Sequence, residues 1–453
     1  MEHQGSLAQL RQFILGGSLT SEEHRYLKVL LSEVHVDIIG ELPIELVRQI
    51  ALLLDLRDLV ACLAVSKRWR AKLLSTPVIK DITLSLCPSL GHTTGTPFNP
   101  NECLKILHKI GRSQYACFQS SFTKQFAWQN ESYFKLDPEY HGHHEDMAAA
   151  YAQFGNYPDP EPDNFAYCRA LYSNGKIAWA PKPRVIVVDS LWSRTRKVFT
   201  ASTGPLGFPA IKLKALGDKL VVGAMGHLLV SWDHTTNIRQ EKKLPRGIGH
   251  VATEGYRVAI ILFGGDVLLW EFGGKLSTIA TTPIIDYHKF NNDTLCTWTC
   301  NLCVILHPTC NRTLFLACGY ADQDDKSPMK RAVYEFKDSK HIKTFEFETP
   351  RLVKIADPNF TKPRIRKVLP YRRDIIAFGE EYEVGEVRFP TKAHETFVEF
   401  DIYDRKFSAR INEEFDYRQF GWRRLLEDAD LDFLVRFHSN GFTACSFQPG
   451  FVF

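Results

Sequence analysis

The chain has 453 residues, of which 44% are hydrophobic and 24% are charged, and its formal net charge is +4. These are values of a folded globular protein of two or three domains, and they exclude a largely disordered chain. Because so small a charge is spread over so long a chain, composition gives no argument for binding nucleic acid or an acidic membrane surface.

Targeting and redox signals are weak. Residues 1–17 show no basic segment followed by an apolar one, so the sequence predicts no secretory signal. The most apolar window, 258–270, is interrupted by Gly264, Gly265 and Asp266 and is shorter than the roughly 20 residues that cross a bilayer. The 11 cysteines are irregularly spaced, as is typical of reduced thiols. We therefore expect an intracellular protein, cytoplasmic or nuclear, with no membrane partner.

Residues 1–36 are predicted to form a helical arm, which either packs beside the next segment or remains mobile. Its helix covers 21–34, and Ser21 is the candidate N-cap. The apolar side of this helix consists of Tyr26, Leu27, Leu30 and Leu31.

Residues 39–77 are predicted to form three short helices with more apolar residues than so small a unit can bury. Pro43 suits the first helical turn, where no backbone N–H is needed. Asp55 and Ser66 suit the caps of the second and third helices, and Pro77 is expected to end the third. The apolar residues at helical spacing are Leu46, Val47, Ile50, Leu53, Leu54, Leu59, Val60, Leu63 and Val65.

This stretch resembles an F-box, and we assign the F-box to 37–80. The family pattern is Leu-Pro-x-Glu, a helix with Ile/Leu spacing, an Asp-Leu step, and Val-x-Lys/Arg-x-Trp. The residues that match in order and spacing are Leu42, Pro43, Glu45, Leu46, Ile50, Leu54, Asp58, Leu59, Val65, Arg68 and Trp69. The sequence departs from the pattern at Leu56, where the family often has Pro, and at Ser66, where it often has Cys. The alternative is a generic helical subdomain inside a larger fold.

The resemblance implies a non-catalytic substrate receptor of a Skp–cullin–F-box ubiquitin ligase. Such a receptor binds a Skp-type adaptor through its F-box and a client protein through another domain, and it has the cullin ligase core as a further partner. It raises the effective concentration of the client near the ubiquitin-charged enzyme and needs no cofactor. The implied adaptor-facing or F-box-core residues are Leu42, Pro43, Ile44, Leu46, Ile50, Leu54, Leu59, Leu63, Val65 and Trp69. An F-box scaffold that acts in transport or transcription, outside ubiquitination, is the alternative.

Residues 81–164 are predicted to be a helical and loop linker region. A strand-like run at 78–86 precedes a turn-rich loop at 91–100. A helix at 101–111 follows, with Gly111 at its end. Residues 137–164, rich in His, Pro, Asp and Gly, are interpreted as a long loop.

From residue 165 the pattern changes to short apolar runs separated by turns. The clearest runs are 176–180, 184–192, 218–225, 227–234, 256–263 and 266–272, with later ones at 332–336 and 396–404 and a final strand pair at 441–453. Trp232 and Trp270 lie one repeat apart, near the roughly 40-residue period of propeller blades.

These runs resemble a degenerate WD-repeat β-propeller of six or seven blades, in which Trp232-Asp233 is the one Trp-Asp pair. The predicted fold class is therefore α+β multidomain: a helical F-box and then a mainly antiparallel, all-β, client-binding domain over 165–453. A β-sandwich or a barrel is the alternative.

Three groups of residues are of types that can bind a metal ion. The first group consists of His141, His143, His144, Glu145 and Asp146, and the alternative interpretation is a solvated loop. The cysteines are Cys296, Cys300, Cys303, Cys310 and Cys318, which we interpret as small apolar residues at blade interfaces. Asp322, Asp324 and Asp325 lack the Gly and distal Glu of a calcium loop. We expect no metal.

We also expect no catalytic residue, because no hydrolase or phosphate-binding motif is present. A propeller-type hydrolase or lactonase needs carboxylates or histidines from several blades in its channel, and no blade-periodic set stands out. The basic run Lys362–Lys367 is interpreted as a solvated rim loop, with an acidic partner as the alternative.

Overall fold

A computed structural model describes the chain in parts. These are residues 20, 22–23, 25–26, 29, 38–54, 56–87, 99–115, 123–128, 132–136, 170–182, 185–201, 211–279, 281, 302–321, 329–349, 364–371, 375–381, 395–412, 427–438 and 441–453. The chain divides into two units, residues 1–87 with 96–104, and residues 88–95 with 105–453.

The first unit is helical. Its helices are α1 (Ile38–Glu41), α2 (Ile44–Leu53), α3 (Leu56–Val65), α4 (Lys67–Leu73) and α5 (Thr76–Leu86). The division between the units falls inside the next helix, α6 (Pro100–Tyr115). The buried apolar side chains between α1 and α5 are Ile39, Val47, Ala51, Leu56, Leu59, Leu73, Val78, Ile79, Ile82 and Cys87.

The strand predicted at 78–86 is wrong, because these residues form α5. The run is rich in β-branched residues, which favour strands by propensity. However, Val78, Ile79 and Ile82 are buried at helical spacing, and α5 packs against α2. Tertiary burial of one helical face thus overrides local propensity.

Three helix ends also differ from prediction. Helix α4 ends at Leu73, and Pro77 lies in the first turn of α5 instead of ending α4. Helix α6 continues through Gly111 to Tyr115. In the arm, the hydroxyl of Thr20 accepts from the Glu23 amide at 3.3 Å, so Thr20 caps the helix where Ser21 was predicted. Asp55 lies outside the described residues.

The described residues of the second unit form six mainly antiparallel sheets in chain order, which we call blades 1 to 6. Blade 1 contains β3 (Ala170–Ser173), β4 (Lys176–Lys182), β5 (Val185–Ser190) and β6 (Thr195–Thr200). Blade 2 contains β7 (Lys212–Leu216), β8 (Leu220–Met225), β9 (Leu228–Asp233) and β10 (Arg239–Lys243). Blade 3 contains β11 (Ile248–Glu254), β12 (Arg257–Leu262), β13 (Val267–Glu271) and β14 (Leu276–Ile279).

Blades 4 to 6 follow the same order. Blade 4 contains β15 (Leu302–Leu306), β16 (Thr313–Ala321), β17 (Met329–Lys337) and β18 (Lys340–Thr349). Blade 5 contains β19 (Arg364–Tyr371), β20 (Ile375–Glu381), β21 (Glu395–Asp401) and β22 (Lys406–Asn412). Blade 6 contains β23 (Glu427–Ala429), β24 (Phe433–His438) and β25 (Gly441–Ser446).

Two strands from the predicted linker complete this ring. β1 (Thr123–Ala127) is the fourth strand of blade 6 and pairs with β25, while β2 (Lys135–Leu136) pairs in parallel with β6 of blade 1. The approach of β1 is so close that a Cβ on Gly441 would lie 1.8 Å from the Phe126 carbonyl oxygen. The β unit therefore begins before the predicted boundary at residue 165.

The strand order confirms a propeller. Each blade is a separate sheet, and no described strand, β1 and β2 included, pairs one blade with the next, which excludes a closed barrel. Trp232 and Trp270 both lie on the third strand, opposite the second residue of the second strand, Val221 and Val258. They are thus equivalent residues of adjacent blades.

The hydrophobic core of the propeller lies between successive blades. Separate clusters of buried side chains fill the interfaces between blades 6 and 1, 1 and 2, 2 and 3, 3 and 4, and 4 and 5. The strands are sandwiched on both faces, which explains why they read as continuous apolar runs.

Two further predictions are corrected by the β unit. The final stretch contains one strand, β25, and residues 447–453 form no second strand. Residues 364–367 of the basic run belong to β19, the first strand of blade 5, and do not form a rim loop.

Candidate docking surfaces

The first unit exposes apolar side chains on α2 and α3. Leu53 is 87% exposed, Val60 is 58% exposed and Val65 is 56% exposed. Leu46 and Leu52 are also exposed. Single exposed apolar residues are ordinary, but here five lie on two consecutive ten-residue helices, which leaves more apolar surface than scattered residues do.

Polar contacts hold these helices in place, so the exposure does not reflect a loose fold. The Ser66 hydroxyl accepts from the Trp69 amide at 3.1 Å and caps α4, as predicted. Arg48 Nε donates to Asp81 Oδ2 at 2.6 Å and joins α2 to α5. The Lys72 ammonium donates to the Leu42 carbonyl oxygen, which fixes the turn before α2. The apolar surface is therefore presented by a braced helical platform.

The propeller has a rim formed by the turns between the first and second strands, and between the third and fourth strands, of its blades; we call it the first rim. On it, the Asp233 carboxylate accepts from the Thr235 amide at 2.8 Å and the Thr236 hydroxyl at 2.6 Å. Tyr256 of blade 3 also donates to it, at 3.2 Å. Although burial opposes ionisation, these hydrogen bonds hold the pKa of Asp233 below its usual value.

Contacts between blades continue along the first rim. The Gly255 amide donates to Asp218 Oδ1 at 3.0 Å and links blades 2 and 3. Arg257 Nη1 donates to the Asn311 carbonyl at 2.8 Å and links blades 3 and 4. Trp192 and Tyr256 are 42% and 41% exposed on this rim, and the contact of Gly255 fixes the turn that carries Tyr256. The first rim thus combines rigid turns with exposed side chains.

His234 provides a test of this packing through pH. It is buried, and its Nε2 lies 3.1 Å from the Gly217 carbonyl oxygen. Burial, with the positive charge of Lys176, lowers its pKa from 6.5 to about 4. As pH falls from 6.5 to about 4, the unfolded chain therefore binds a proton that the folded chain does not. We expect this site to cost about 3 kcal/mol of unfolding free energy by pH 4.

The measurement is urea unfolding at several pH values for the wild type, His234→Gln and His227→Gln, the last changing an exposed imidazole. His234→Gln should flatten the loss of stability toward pH 4, and His227→Gln should leave it unchanged. An identical pH profile for all three proteins would contradict the assignment.

The described cysteines of the candidate metal-binding group lie at separate positions in the structure. Cys303 and Cys318 are buried at opposite faces of blade 4, in the clusters toward blades 5 and 3. Burial raises the pKa of both thiols, to about 12 for Cys318, which disfavours the thiolate that binds metal. Among the described residues, no three His, Cys, Asp or Glu side chains gather as metal ligands. His141–Asp146, Cys296, Cys300 and Asp322–Asp325 lie outside the described residues.

The helical platform matches a known family. The model of the F-box-like family aligns with residues 39–78, which span α1 to the start of α5. The chain carries an F-box-like domain. The match covers this domain alone, and the strand-rich propeller follows it.

Within the F-box-like domain, the ten predicted residues fall into three classes of exposure. Pro43, Leu46 and Val65 are exposed. Leu42, Ile44, Ile50, Leu54, Leu63 and Trp69 are partly buried. Leu59 is 4% exposed and belongs to the core of the F-box-like domain. A direct role of the other nine in adaptor binding stays a prediction.

The sequence-based set omits exposed residues of the F-box-like domain, namely Leu52, Leu53 and Val60. Leu53 and Val60 belong to the same helical apolar pattern as the predicted residues. The sequence signal for these residues is that the apolar positions extend over more than one helical face. Such a helix has more apolar surface than its own core can cover.

Other comparisons add little beyond the F-box-like domain. No curated protein matches the sequence. The N-terminal domain of Nup159 aligns at 12% identity and a TM-score of 0.30, over 55% of this chain and 62% of that one, less than two thirds of its length. BamB from Moraxella catarrhalis aligns at 11% identity and a TM-score of 0.31, over 63% of this chain and 73% of that one.

A chain of the Mitotic Checkpoint Complex aligns at 9% identity and a TM-score of 0.34, over 62% of this chain and 87% of that one. Overlaps this weak carry no functional argument, and the propeller assignment rests on strand order. None of the described helices is long and apolar enough to cross a membrane.

Proposed function

We propose that this protein is a substrate receptor of a Skp–cullin–F-box ubiquitin ligase. The observation that supports it is the exposed apolar side chains of α2 and α3 on the braced helical platform of the F-box-like domain. Burying such side chains against a partner contributes about 25 cal/mol for each Å² of apolar area. The proposed partner for this surface is a Skp-type adaptor.

The propeller is the proposed client-binding module. In this role the chain performs no bond chemistry, and we assign it no catalytic residue and no cofactor. It holds the client near the ubiquitin-charged enzyme of the cullin core, in the cytoplasm or nucleus, and raises their effective concentration. Rim turns suit client binding because they vary without disturbing the packed blades.

The adaptor surface is tested by placing charge on it. Leu53→Asp combined with Val60→Asp changes two exposed side chains, so the fold is expected to persist. Adaptor binding should weaken by at least about 30-fold, because roughly 2 kcal/mol of apolar burial is lost and two carboxylates are desolvated. The measurement is isothermal titration calorimetry with a purified Skp-type adaptor.

The matched control is Thr76→Asp combined with Ser85→Asp, which adds the same charge at exposed positions of α5. It should bind the adaptor as the wild type does. Unchanged binding by the Leu53 and Val60 variant would contradict the proposed adaptor surface. Adaptor binding without cullin association or client ubiquitination would favour the scaffold alternative.

A further inference from the structure

A group of exposed cations lies on the first rim where blades 4 and 5 meet. We call this group the basic corner, and its members are Arg312, Lys337, Lys340, Arg405 and Lys406. Two exposed carboxylates accompany it: Asp338, 3.6 Å from Arg312, and Asp404. Positive charge therefore exceeds negative charge at this surface.

The hairpin between β17 and β18 places two of these cations face to face. Lys337 pairs with Lys340 across the turn, and the turn residues Asp338 and Ser339 have φ of 50° and 63°. Like charges directly opposite each other destabilise a strand pair. This lysine pair therefore does not stabilise the fold, and a ligand of opposite charge would relieve its repulsion.

Three blades hold the basic corner in a fixed geometry. Arg257 of blade 3 donates to the His307 carbonyl at 2.9 Å and anchors the first turn of blade 4. Arg405 of blade 5 forms a bidentate pair with the buried Glu335 of blade 4, at 2.9 and 2.8 Å. A ligand that meets such preformed cations loses less affinity to the ordering of side chains.

The Cys310 thiol reports positive potential at the same place. A hydrogen bond from Thr313 lowers the pKa of Cys310, and the charges of Lys337 and Arg257 lower it further. Its Sγ lies 3.1 Å from the Thr313 hydroxyl. The thiol thus sits among cations contributed by blades 3 and 4.

We propose that the basic corner binds an acidic segment of the client polypeptide, rich in Asp and Glu. This proposal rests on the proposed function, since it assigns a site to the client that the receptor holds. Ile342, two residues beyond Lys340 and 56% exposed, adds an apolar contact. Such a contact suits a polypeptide better than a phosphodiester backbone, and the net charge of +4 gives no support to nucleic acid.

The test uses the full chain and a fluorescent peptide rich in Asp and Glu with one central Leu. Lys337→Glu combined with Lys340→Glu keeps like charges opposite each other, so the hairpin is not further strained. Arg405 is left in place because its loss would leave Glu335 buried and unpaired. We expect the variant to bind the peptide at least about tenfold more weakly in fluorescence anisotropy.

The matched control is Lys243→Glu combined with Lys275→Glu, two exposed cations on blades 2 and 3. It changes net charge equally and should leave peptide binding within about twofold of the wild type. The proposal is overturned by equal loss in both variants, by no loss in the first variant, or by equal binding of the Asn/Gln version of the peptide. An oligonucleotide that binds more tightly than the peptide, and that also loses binding in the Lys337 and Lys340 variant, would overturn the proposal in favour of a nucleic acid.

Adaptor binding is measured on the same samples. Retained adaptor binding with no peptide binding contradicts the basic corner alone. Absence of adaptor binding by the wild-type chain contradicts the proposed function, so the two failures are distinguishable.

Discussion

A chain that starts at residue 165 is expected not to fold, whereas a chain that starts at Lys105 is expected to unfold in a single cooperative transition. The shorter chain lacks β1, the fourth strand of blade 6, and β2, the outer strand of blade 1. It therefore loses the strand that joins the two ends of the propeller and leaves β25 as an open edge.

The side chains lost with these strands form much of the core between blades 6 and 1. Phe126 and Phe134 are 1% and 2% exposed, and the Phe126 ring stacks on Phe442 with centroids 4.9 Å apart. Tyr133 belongs to the same cluster. Removing a buried aromatic side chain costs about 3–5 kcal/mol, so the three together cost on the order of 10 kcal/mol. This loss is comparable to the free energy of unfolding of a typical domain, which is about 5–15 kcal/mol.

Calorimetry and circular dichroism on both chains provide the measurement. A peptide of residues 105–164, added in trans, should restore the thermal transition of the shorter chain, because it supplies β1 and β2. A shorter chain that unfolds cooperatively at the same temperature as the longer one would show that the ring closes without these strands.

Arg196→Met is expected to destabilise the propeller by about 3–5 kcal/mol, because it leaves a buried carboxylate without its partner. Arg196 and Asp189 are 1% and 0% exposed. Arg196 donates to Asp189 through Nε at 2.6 Å and through Nη2 at 2.8 Å, and Trp179 Nε1 donates to the same carboxylate at 3.0 Å. A second bond from Nη2 to the Trp128 carbonyl, at 3.1 Å, ties blade 1 to the segment after β1.

The matched control is Arg246→Met, which removes an exposed ion pair with Asp266 at 3.4 Å. Surface pairs of this kind contribute about 0–1 kcal/mol, so its unfolding midpoint in urea should hardly move. The double variant Asp189→Leu with Arg196→Met should recover part of the loss, because it leaves no charge buried. Equal stability of Arg196→Met and Arg246→Met would show that the buried pair contributes nothing beyond a surface pair.

Asp189 also shows how the repeat diverges. It lies opposite Ile177, the second residue of β4, which is the register occupied by Trp232 and Trp270 in blades 2 and 3. Blade 1 thus has an ion pair where blades 2 and 3 have an indole. A search for Trp-Asp pairs misses this blade, although its strand pattern is intact.

The sequence by itself determined the F-box-like domain and the blade strands, because both are written in local spacing. The helical spacing from Leu42 to Trp69 selects one family, and short apolar runs separated by turns select sandwiched strands. The Ser66 cap was also predictable, since a cap is a contact between residues three positions apart.

Only the tertiary structure decided what depends on contacts between distant residues. Residues 78–86 became a helix because one face is buried against α2, against their β propensity. β1 joined blade 6 through pairing with residues more than 300 positions away, which no local pattern encodes. The same holds for exposure: sequence spacing names the apolar residues of α2 and α3, but only packing separates the buried Leu59 from the exposed Leu53.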